Sequence, residues 1–431
     1  NYIEVSYITS SGEAANGISS FNFNGRLVDN NNNLVSTGIS ILSTVSESNG
    51  GKEIESVDSI KRFAPKIYSA YNRAVTAGDY EALIPKIYPE TESVSAFGGE
   101  ELNPPKYGKV FITIKPFYGP YVPDSIKNNL NTMLRKYSVA GIITEILDLK
   151  YLYVETHINA YYNPSLAANS DAVKAVVSNN ITSYADSSEM NKYGAKFKYS
   201  KFQTVVDNSN DSITSNITKI EIRRDLKPLL NQNAEYELCF GNSFYIKNNN
   251  GYNIKSSGFK IFGVSDTVYM SDSPNADGRT GTLFLFTLAS RTNPTIISNN
   301  VGTIEYGRGE ILIKPINIIS TSKNVQNIPI IEISACPTSN DVIGLQDLYL
   351  QLDINNSTID MIADTVSSGD NTSGTLYTAT SSYMVGDIAR LTENEKANTS
   401  LLSSDTYVVG ENTQIGSAAN TIPAPVQQTQ Y

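Results

Sequence analysis

Only three side chains in this sequence belong to the usual set of imidazole bases and thiol ligands: His157, Cys239 and Cys336. A zinc site of the common Cys/His kinds needs three or four such groups drawn together, so no metal centre is expected. The two cysteines lie far apart in the chain and read as small buried thiols of a reducing compartment, not as a disulfide framework. His157 falls in an alternating stretch, residues 151–162, which puts it on one strand face with Tyr153, Glu155 and Asn159. A general base oriented by Glu155 or Tyr153 could be drawn there. Same-face strand neighbours do not make a nucleophile triad, however, and no Gly-x-Ser-x-Gly elbow supplies a serine. A surface or interface histidine is the expectation.

Other constellations are weaker. Asp266, Asp272 and Asp277 offer calcium-type oxygen ligands in one loop, but their spacing is not that of an EF-hand, and a solvated hairpin tip ending at Asp277-Gly278 is expected. The pairs Gly98-Gly99 and Gly307/Gly309 lack the helix start with Lys-Ser/Thr that a phosphate cradle requires. The basic groups Lys61-Arg62, Arg223-Arg224 and Lys196/Lys198/Lys201 read as solvated faces, or as contacts for an acidic partner. Asn180, Asn216 and Asn356 begin sequons that an Asn- and Ser/Thr-rich chain produces by chance. No catalytic, cofactor or metal residues are nominated, and the chain is expected not to be an enzyme.

Composition narrows the possibilities further. The 431 residues suffice for several domains, each with its own core. A formal net charge of −10 argues against nucleic-acid binding, which needs concentrated positive charge. Charged residues make up only 18% while tyrosine numbers 27, so the surface is polar more than ionic and suited to contacts that are half buried and half wet. No apolar run approaches a membrane span, and no charged-then-apolar leader opens the chain. The sequence starts at Asn1 with alternation already under way, as if a missing N-terminal part preceded it.

The elements that would position these residues fall into modules. Residues 1–48 read as a small β module, with strands at Ile3 to Tyr7, Ser20 to Phe23 and Gly38 to Val45 separated by Asn/Gly turns such as Asn30 to Asn33. Residues 49–105 read as a connecting segment with a helix over 76–84: Thr76 as N-cap, Asp79 as its reciprocal partner, Val75 and Tyr80 as a hydrophobic staple. Pro85 should limit or kink that helix. Residues 106–230 read as an α+β domain, a mixed sheet with two helices. One spans Ser125 to Lys136, with Ile126, Leu130, Met133 and Leu134 inward. The other, Asp171 to Tyr184, is capped by Ser170 with Val173, Val176, Val177 and Ile181 inward. Strands are expected at Lys109 to Lys115, Ile142 to Asp148, Tyr151 to Tyr162 and Ile217 to Arg223.

Residues 231–355 read as an all-β sandwich or barrel. Its hairpins are Phe244 to Lys247 with Tyr252 to Lys255 and Thr303 to Tyr306 with Glu310 to Lys314, and its further strands are Gly281 to Leu288, Ile328 to Cys336 and Leu348 to Ile354. Residues 356–431 are too polar to bury much and read as an extended tail, disordered alone and ordered by partners. The fold class is therefore α+β and multidomain.

Several stretches together resemble the baseplate J-like family, and within it the baseplate wedge subunits of T-even-type contractile-tailed bacteriophages. They are Glu53 to Pro65, Asn72 to Leu83 (with Arg73, Thr76, Asp79 and Tyr80), Glu92 to Glu100 and Pro104 to Ile112, supported by Gly12 to Gly17, Gly302 to Tyr306 and Gly309 to Ile313. The likeness runs from about residue 1 to 320, and the tail matches nothing recognisable. It implies a structural virion protein of the tail baseplate, assembled in the host cytoplasm, whose copies dimerise into a ring around the central hub. It also implies contacts with other wedge subunits and with the sheath-initiating wedge protein, and a rearrangement that triggers sheath contraction and DNA ejection. No catalytic residue and no cofactor are carried over. Arg73, Thr76, Asp79 and Tyr80 match the family motif and read physically as a capped helix holding a fixed angle between modules. The alternative is a receptor- or carbohydrate-binding tail protein, suggested by the Asn- and Tyr-rich β half and weakened by the lack of tryptophan. A tail-associated hydrolase would need paired carboxylates converging in a cleft.

Overall fold

The computed structural model describes residues 25–35 and 57–364, except 72, 103, 118, 120, 168, 188, 247–252, 291–292, 326 and 346, together with 388–392, 395 and the single positions 4, 14, 18 and 20. The strands expected at Ile3 to Tyr7 and Gly38 to Val45, nearly all of Ser20 to Phe23, and most of the 356–431 tail lie outside the described residues. The chain divides into two compact units, Asn1–Asp148 and Leu149–Tyr431.

In the first unit, β1 (Leu27–Val28) and β2 (Leu34–Val35) form a small antiparallel pair. Its turn is tied by Asp29, whose Oδ1 accepts from the amides of Asn31 and Asn33 at 2.9 and 2.7 Å, as the asparagine run predicts. Then follow α1 (Val57–Ala70), α2 (Ala77–Ile87), β3 (Thr91–Gly98), β4 (Lys109–Pro116), α3 (Asp124–Leu134) and β5 (Ile143–Leu147). β4 pairs antiparallel with β3 and parallel with β5. A parallel neighbour requires a crossover, which α3 supplies. Tyr80, Leu83 and Ile84 of α2 and Leu130 and Leu134 of α3 form one core with Val94, Ile112 and Ile114 of the sheet. Met133, expected inward, is 38% exposed. The sequence reading contains neither α1, which carries Pro65 inside it, nor β3.

The second unit begins with β6 (Lys150–Tyr162), α4 (Ser170–Ala185), β7 (Lys196–Phe197), α5 (Tyr199–Asp207), β8 (Ile213–Leu226) and β9 (Asn233–Cys239). After them come β10 (Lys255–Ser256), β11 (Phe259–Ile261), β12 (Val268–Pro274), β13 (Thr280–Ser290), β14 (Asn293–Glu305) and β15 (Glu310–Thr321). The last are β16 (Lys323–Val325), β17 (Ile328–Ala335), β18 (Val342–Ile343), β19 (Leu348–Leu352) and β20 (Thr358–Ala363). Strands β11 to β15 pair in order and close through β11 with β15, a five-stranded barrel with β9 added on β15. A seven-stranded sheet runs β10-β17-β8-β6-β19, with β16 beside β17 and β20 following β19 along the same edge of β6. Sheet and barrel share one apolar core, joining Leu152, Val154, Ile220 and Ile222 to Leu283, Leu285, Ile311 and Ile313.

The structure moves several expected boundaries. The 106–230 module is divided at 148/149: residues 109–147 complete the first unit, and β6 with β8 founds the second. Of the strands grouped in 231–355, β17 and β19 leave the barrel for the β6–β8 sheet, because their apolar faces complete that sheet's side of the core. The boundary at 355 falls between β19 and β20, which both belong to that sheet. The hairpin of 244–247 with 252–255 is replaced, among described residues, by separate attachments. Phe244 bridges Pro337, while Lys255 pairs with Ser334 of β17. α4 is capped by Asn169, whose side chain accepts from Asp171 N, one residue before the expected Ser170, and Val176 on that helix is 38% exposed.

Candidate functional site

Strand alternation gives β6, β8 and β17 two chemically different faces. Leu152, Val154, Ile158, Ile220, Ile222, Ile331 and Ile333 enter the shared core. The opposite face carries Glu155, Glu221, Arg223, Asp225 and Glu332, with Lys255 from β10 in register beside Ser334. A charged sheet face is ordinarily the solvated one. Here it is dry, with Glu155 1%, Glu221 4%, Arg223 4% and Glu332 5% exposed.

Arg223 is the hub. Its guanidinium pairs with Glu155, with Asp225 at 2.9 Å and with Asp353 at 2.8 Å, and its Cζ lies 4.3 Å from the centroid of the Tyr153 ring. Asp353 arrives through the interruption between β19 and β20, where its Oδ1 also accepts from the amides of Asn355 and Asn356 and holds the turn. A second arginine, Arg390, enters from residues 388–392: it donates to both Glu155 oxygens at 2.8 Å and to Glu332 at 3.0 Å, with Glu221 at 3.7 Å. Lys255 meets Glu221 at 3.2 Å, and Lys323 meets Glu332 at 2.7 Å.

Burial alone would lower the pKa of both guanidiniums. For Arg223 the surrounding Asp225, Glu155, Glu332 and Asp353 outweigh it, and for Arg390 Glu155, Glu332 and Glu221 do, so both are raised. Burial would raise the carboxyls. Lys255 and Arg390 still hold Glu221 below its usual range, and Arg390, Arg223 and Lys323 do so for Glu332. In Asp225 burial prevails and the carboxyl is raised. The arrangement is a set of mutually neutralising charges locked in a dry sheet, able to hold five strands and a sixth segment in register. Each member is committed to another, so it is poor material for proton transfer.

The residues singled out from sequence scatter differently. His157 lies on the polar face, half buried, with Nδ1 3.1 Å from Thr358 Oγ1 of β20, and burial lowers its pKa. Cys336 is buried and Cys239 half-buried, both free thiols whose pKa burial raises. Arg223-Arg224, expected on a solvated face, is buried: Arg224 donates to Cys239 O on the side of the sheet away from Arg223. Lys198 and Lys201 pair with Asp341 and Glu189. Asp277 does cap a hairpin tip, accepting from the amides of Arg279 and Thr280, which pull its carboxyl down to about 2. Asp272 is not in the tip: it lies in β12, buried, accepting from Tyr306 Oη at 2.7 Å and Ile254 N at 2.8 Å.

The start of α2 follows its sequence more closely. Asp79 accepts from the amides of Thr76 and Val75 at 2.8 and 3.0 Å. Partial burial would raise its carboxyl, but these amides, the Thr76 hydroxyl and the charge of Arg73 hold it below the usual value. Thr76 and Arg73 are exposed, and Val75 is half exposed, whereas Tyr80 is fully buried and donates to Ser138 Oγ at 3.1 Å. Ala74 N donates to Tyr137 O at 2.8 Å, so the chain entering α2 is fastened to the end of α3.

Comparison with known proteins places these elements in a class. Residues 76–147 match the family described as baseplate structural protein gp6, C-terminal domain I, and residues 150–225 match C-terminal domain III of the same protein. The chain is 22% identical over 236 residues to baseplate wedge protein gp6 of Enterobacteria phage T4, covering 52% of this chain and 34% of that one, so it spans about a third of its relative's length. A chain in the six-fold symmetrised cryo-EM structure of the anti-feeding prophage baseplate aligns with 47% of this chain and 46% of its own, at 15% identity. Its TM-score of 0.31 is too low to carry an argument. The matched parts of the chain are of the baseplate structural class, which places the protein at the virion tail baseplate. Within that class it is gp6-like, of the baseplate wedge kind.

Proposed function

We propose that this chain is a load-transmitting wedge subunit: copies of it join one another and other wedge proteins in a ring around the hub, and their rearrangement passes the trigger for sheath contraction. One observation carries the reading. The two baseplate domain matches end and begin at 147 and 150, and the chain divides into its compact units at Asp148/Leu149, so each recognised domain founds a separately cored body. Bodies joined by a short connection suit a ring that must change packing without unfolding.

The same reading makes the chain a non-enzyme. The carboxylates that converge, Glu155, Glu221, Glu332 and Asp353, are each paired with arginine or lysine inside the sheet, instead of facing a cleft where a substrate bond could lie between them. Chemical cross-linking with mass spectrometry on extended and contracted tails tests the ring. With copies carrying two isotope labels, mixed-label cross-links are expected in both states, with a changed set after contraction. Absence of mixed-label links, or an identical set in both states, overturns the reading.

A further inference from the structure

Segment 388–395 is joined to the rest of its unit in the manner of a bound peptide. Among its described residues, 388–392 and 395, the backbone meets the sheet at the bridge of Ser257 with Arg390, where Arg390 N donates to Ser256 O at 2.9 Å. Its side chains do the rest in alternation. Ala389 and Leu391, 4% and 8% exposed, enter an apolar pocket of Tyr269, Phe284 and Phe286 on the barrel. Arg390 turns the other way, into the carboxylates of Glu155 and Glu332. Glu395 closes the end, accepting from Ser322 Oγ at 2.8 Å, Tyr269 Oη at 3.2 Å and Thr392 N at 2.7 Å.

The seat is electrostatically incomplete without this occupant. Among the described residues, and apart from those of Arg390, the network's ion pairs join five carboxylates, Glu155, Glu221, Asp225, Glu332 and Asp353, to three cations, Arg223, Lys255 and Lys323, with Lys219 further along the same face opposite His157. A dry face with surplus negative charge favours a guanidinium that can donate bidentately, and Arg390 meets Glu155 in that geometry. Connectivity does not dictate whose segment fills the seat. Residues 365–387 separate it from β20, and at ~3.3 Å per residue that length of chain reaches on the order of 75 Å.

We propose that the Glu155/Glu332 and Tyr269/Phe286 seat is a peptide-binding site for an apolar-Arg-apolar strand of the type Ile388-Ala389-Arg390-Leu391-Thr392, and that it accepts this strand from a second copy of the chain as well as from its own. The mode is short strand addition to a sheet, with side chains read alternately by an apolar pocket and an acidic one. That copies meet in a ring belongs to the function proposed above; the seat's preference for the strand does not depend on it.

The test uses the full chain with a protease site inserted within residues 371–380, then cut. The released C-terminal piece is expected to stay bound through gel filtration. Excess synthetic peptide spanning 386–397 should displace it, while the same peptide with Arg390→Ala or Leu391→Asp competes at least tenfold less well. Because the substitutions sit in the peptide, misfolding of the body cannot imitate the result. When two cut preparations of different mass are mixed, native mass spectrometry should show exchanged pieces. A piece that no excess of peptide removes, variant peptides that compete equally, or the absence of exchanged species overturns the proposal. Failure of the ring would appear separately, as missing mixed-label cross-links in intact tails.

Discussion

The start of α2 and the polar face of the seven-stranded sheet are both organised by carboxylates, and they differ in how far along the chain those carboxylates find partners. Asp79 binds amides three and four residues before it, in a partly exposed turn where water competes. Glu155 binds Arg223 and Arg390, 68 and 235 positions away, on a face from which water has been removed. The first arrangement needs only local backbone geometry and adds modestly to a helix. The second exists only once five strands are aligned, and each charge then depends on all the others, since a buried charge that loses its partner keeps its desolvation cost. Local capping positions an element, whereas the network ties together elements the sequence keeps apart.

Removing the hub should break the comparison most visibly. Arg223→Leu leaves Glu155, Asp225 and Asp353 buried without their shared partner and is expected to destabilise the second unit by roughly 3–5 kcal/mol, measured by urea unfolding followed by circular dichroism. A loss below about 1 kcal/mol would mean the face is wetter and less coupled than its burial implies. Gly309→Ala probes a position with both local and distant constraints. Its φ of +67° favours glycine, and a Cβ there would stand 2.0 Å from Asn242 O, so a loss of about 1–3 kcal/mol is expected in the same assay.

Tyr80→Phe removes one buried hydroxyl from Ser138 and keeps the ring, for an expected cost near 1 kcal/mol; a null effect would leave the α2–α3 fastening to the Ala74 hydrogen bond and the shared apolar core. Asp79→Asn should have the smallest effect, under about 1 kcal/mol, because its turn is partly solvated. Its pH dependence has a fixed sign. Asp79 has a folded-state pKa below its unfolded one, so its stabilisation is present above the unfolded value of 3.8 and lost as pH falls through the folded value. The gap in thermal stability between wild type and Asp79→Asn should therefore be constant near neutrality and close in acid. A gap unchanged down to pH 2 would remove Asp79 from the cap.

Much of the secondary structure and part of the motif at 73–80 were readable because their determinants lie within a few residues. Alternation marked β6, a dense apolar run marked β13, the glycines at 307 and 309 marked the hairpin of β14 with β15, and the Thr76/Asp79 spacing marked the start of α2. α1 was missed where Pro65 interrupts the pattern, and β3 because it is buried on both faces and does not alternate. The ion network was missed for a different reason. Glu155 drew attention only as a neighbour of His157 and Arg223 only as half of a basic pair, while Glu332 and Asp353 drew no reading of their own. The one available signal was that such residues recur in phase on several strands, and that becomes a site only when the strand order is known.

By itself the sequence determined the class of the molecule: an acidic, tyrosine-rich α+β chain, poor in histidine and cysteine, whose stretches between about residue 1 and 320 resemble the baseplate J-like family, with residues 76–147 and 150–225 matched by baseplate family models. Tertiary structure alone decided that β17, β19 and β20 join the distant β6 and β8, that the strands between β10 and β16 close into a barrel, and that Arg390 completes a charge cluster begun at Glu155. The reason lies in range. Period, caps and turns are written over a few residues, whereas the free energy of a desolvated charge depends on which distant segments surround it.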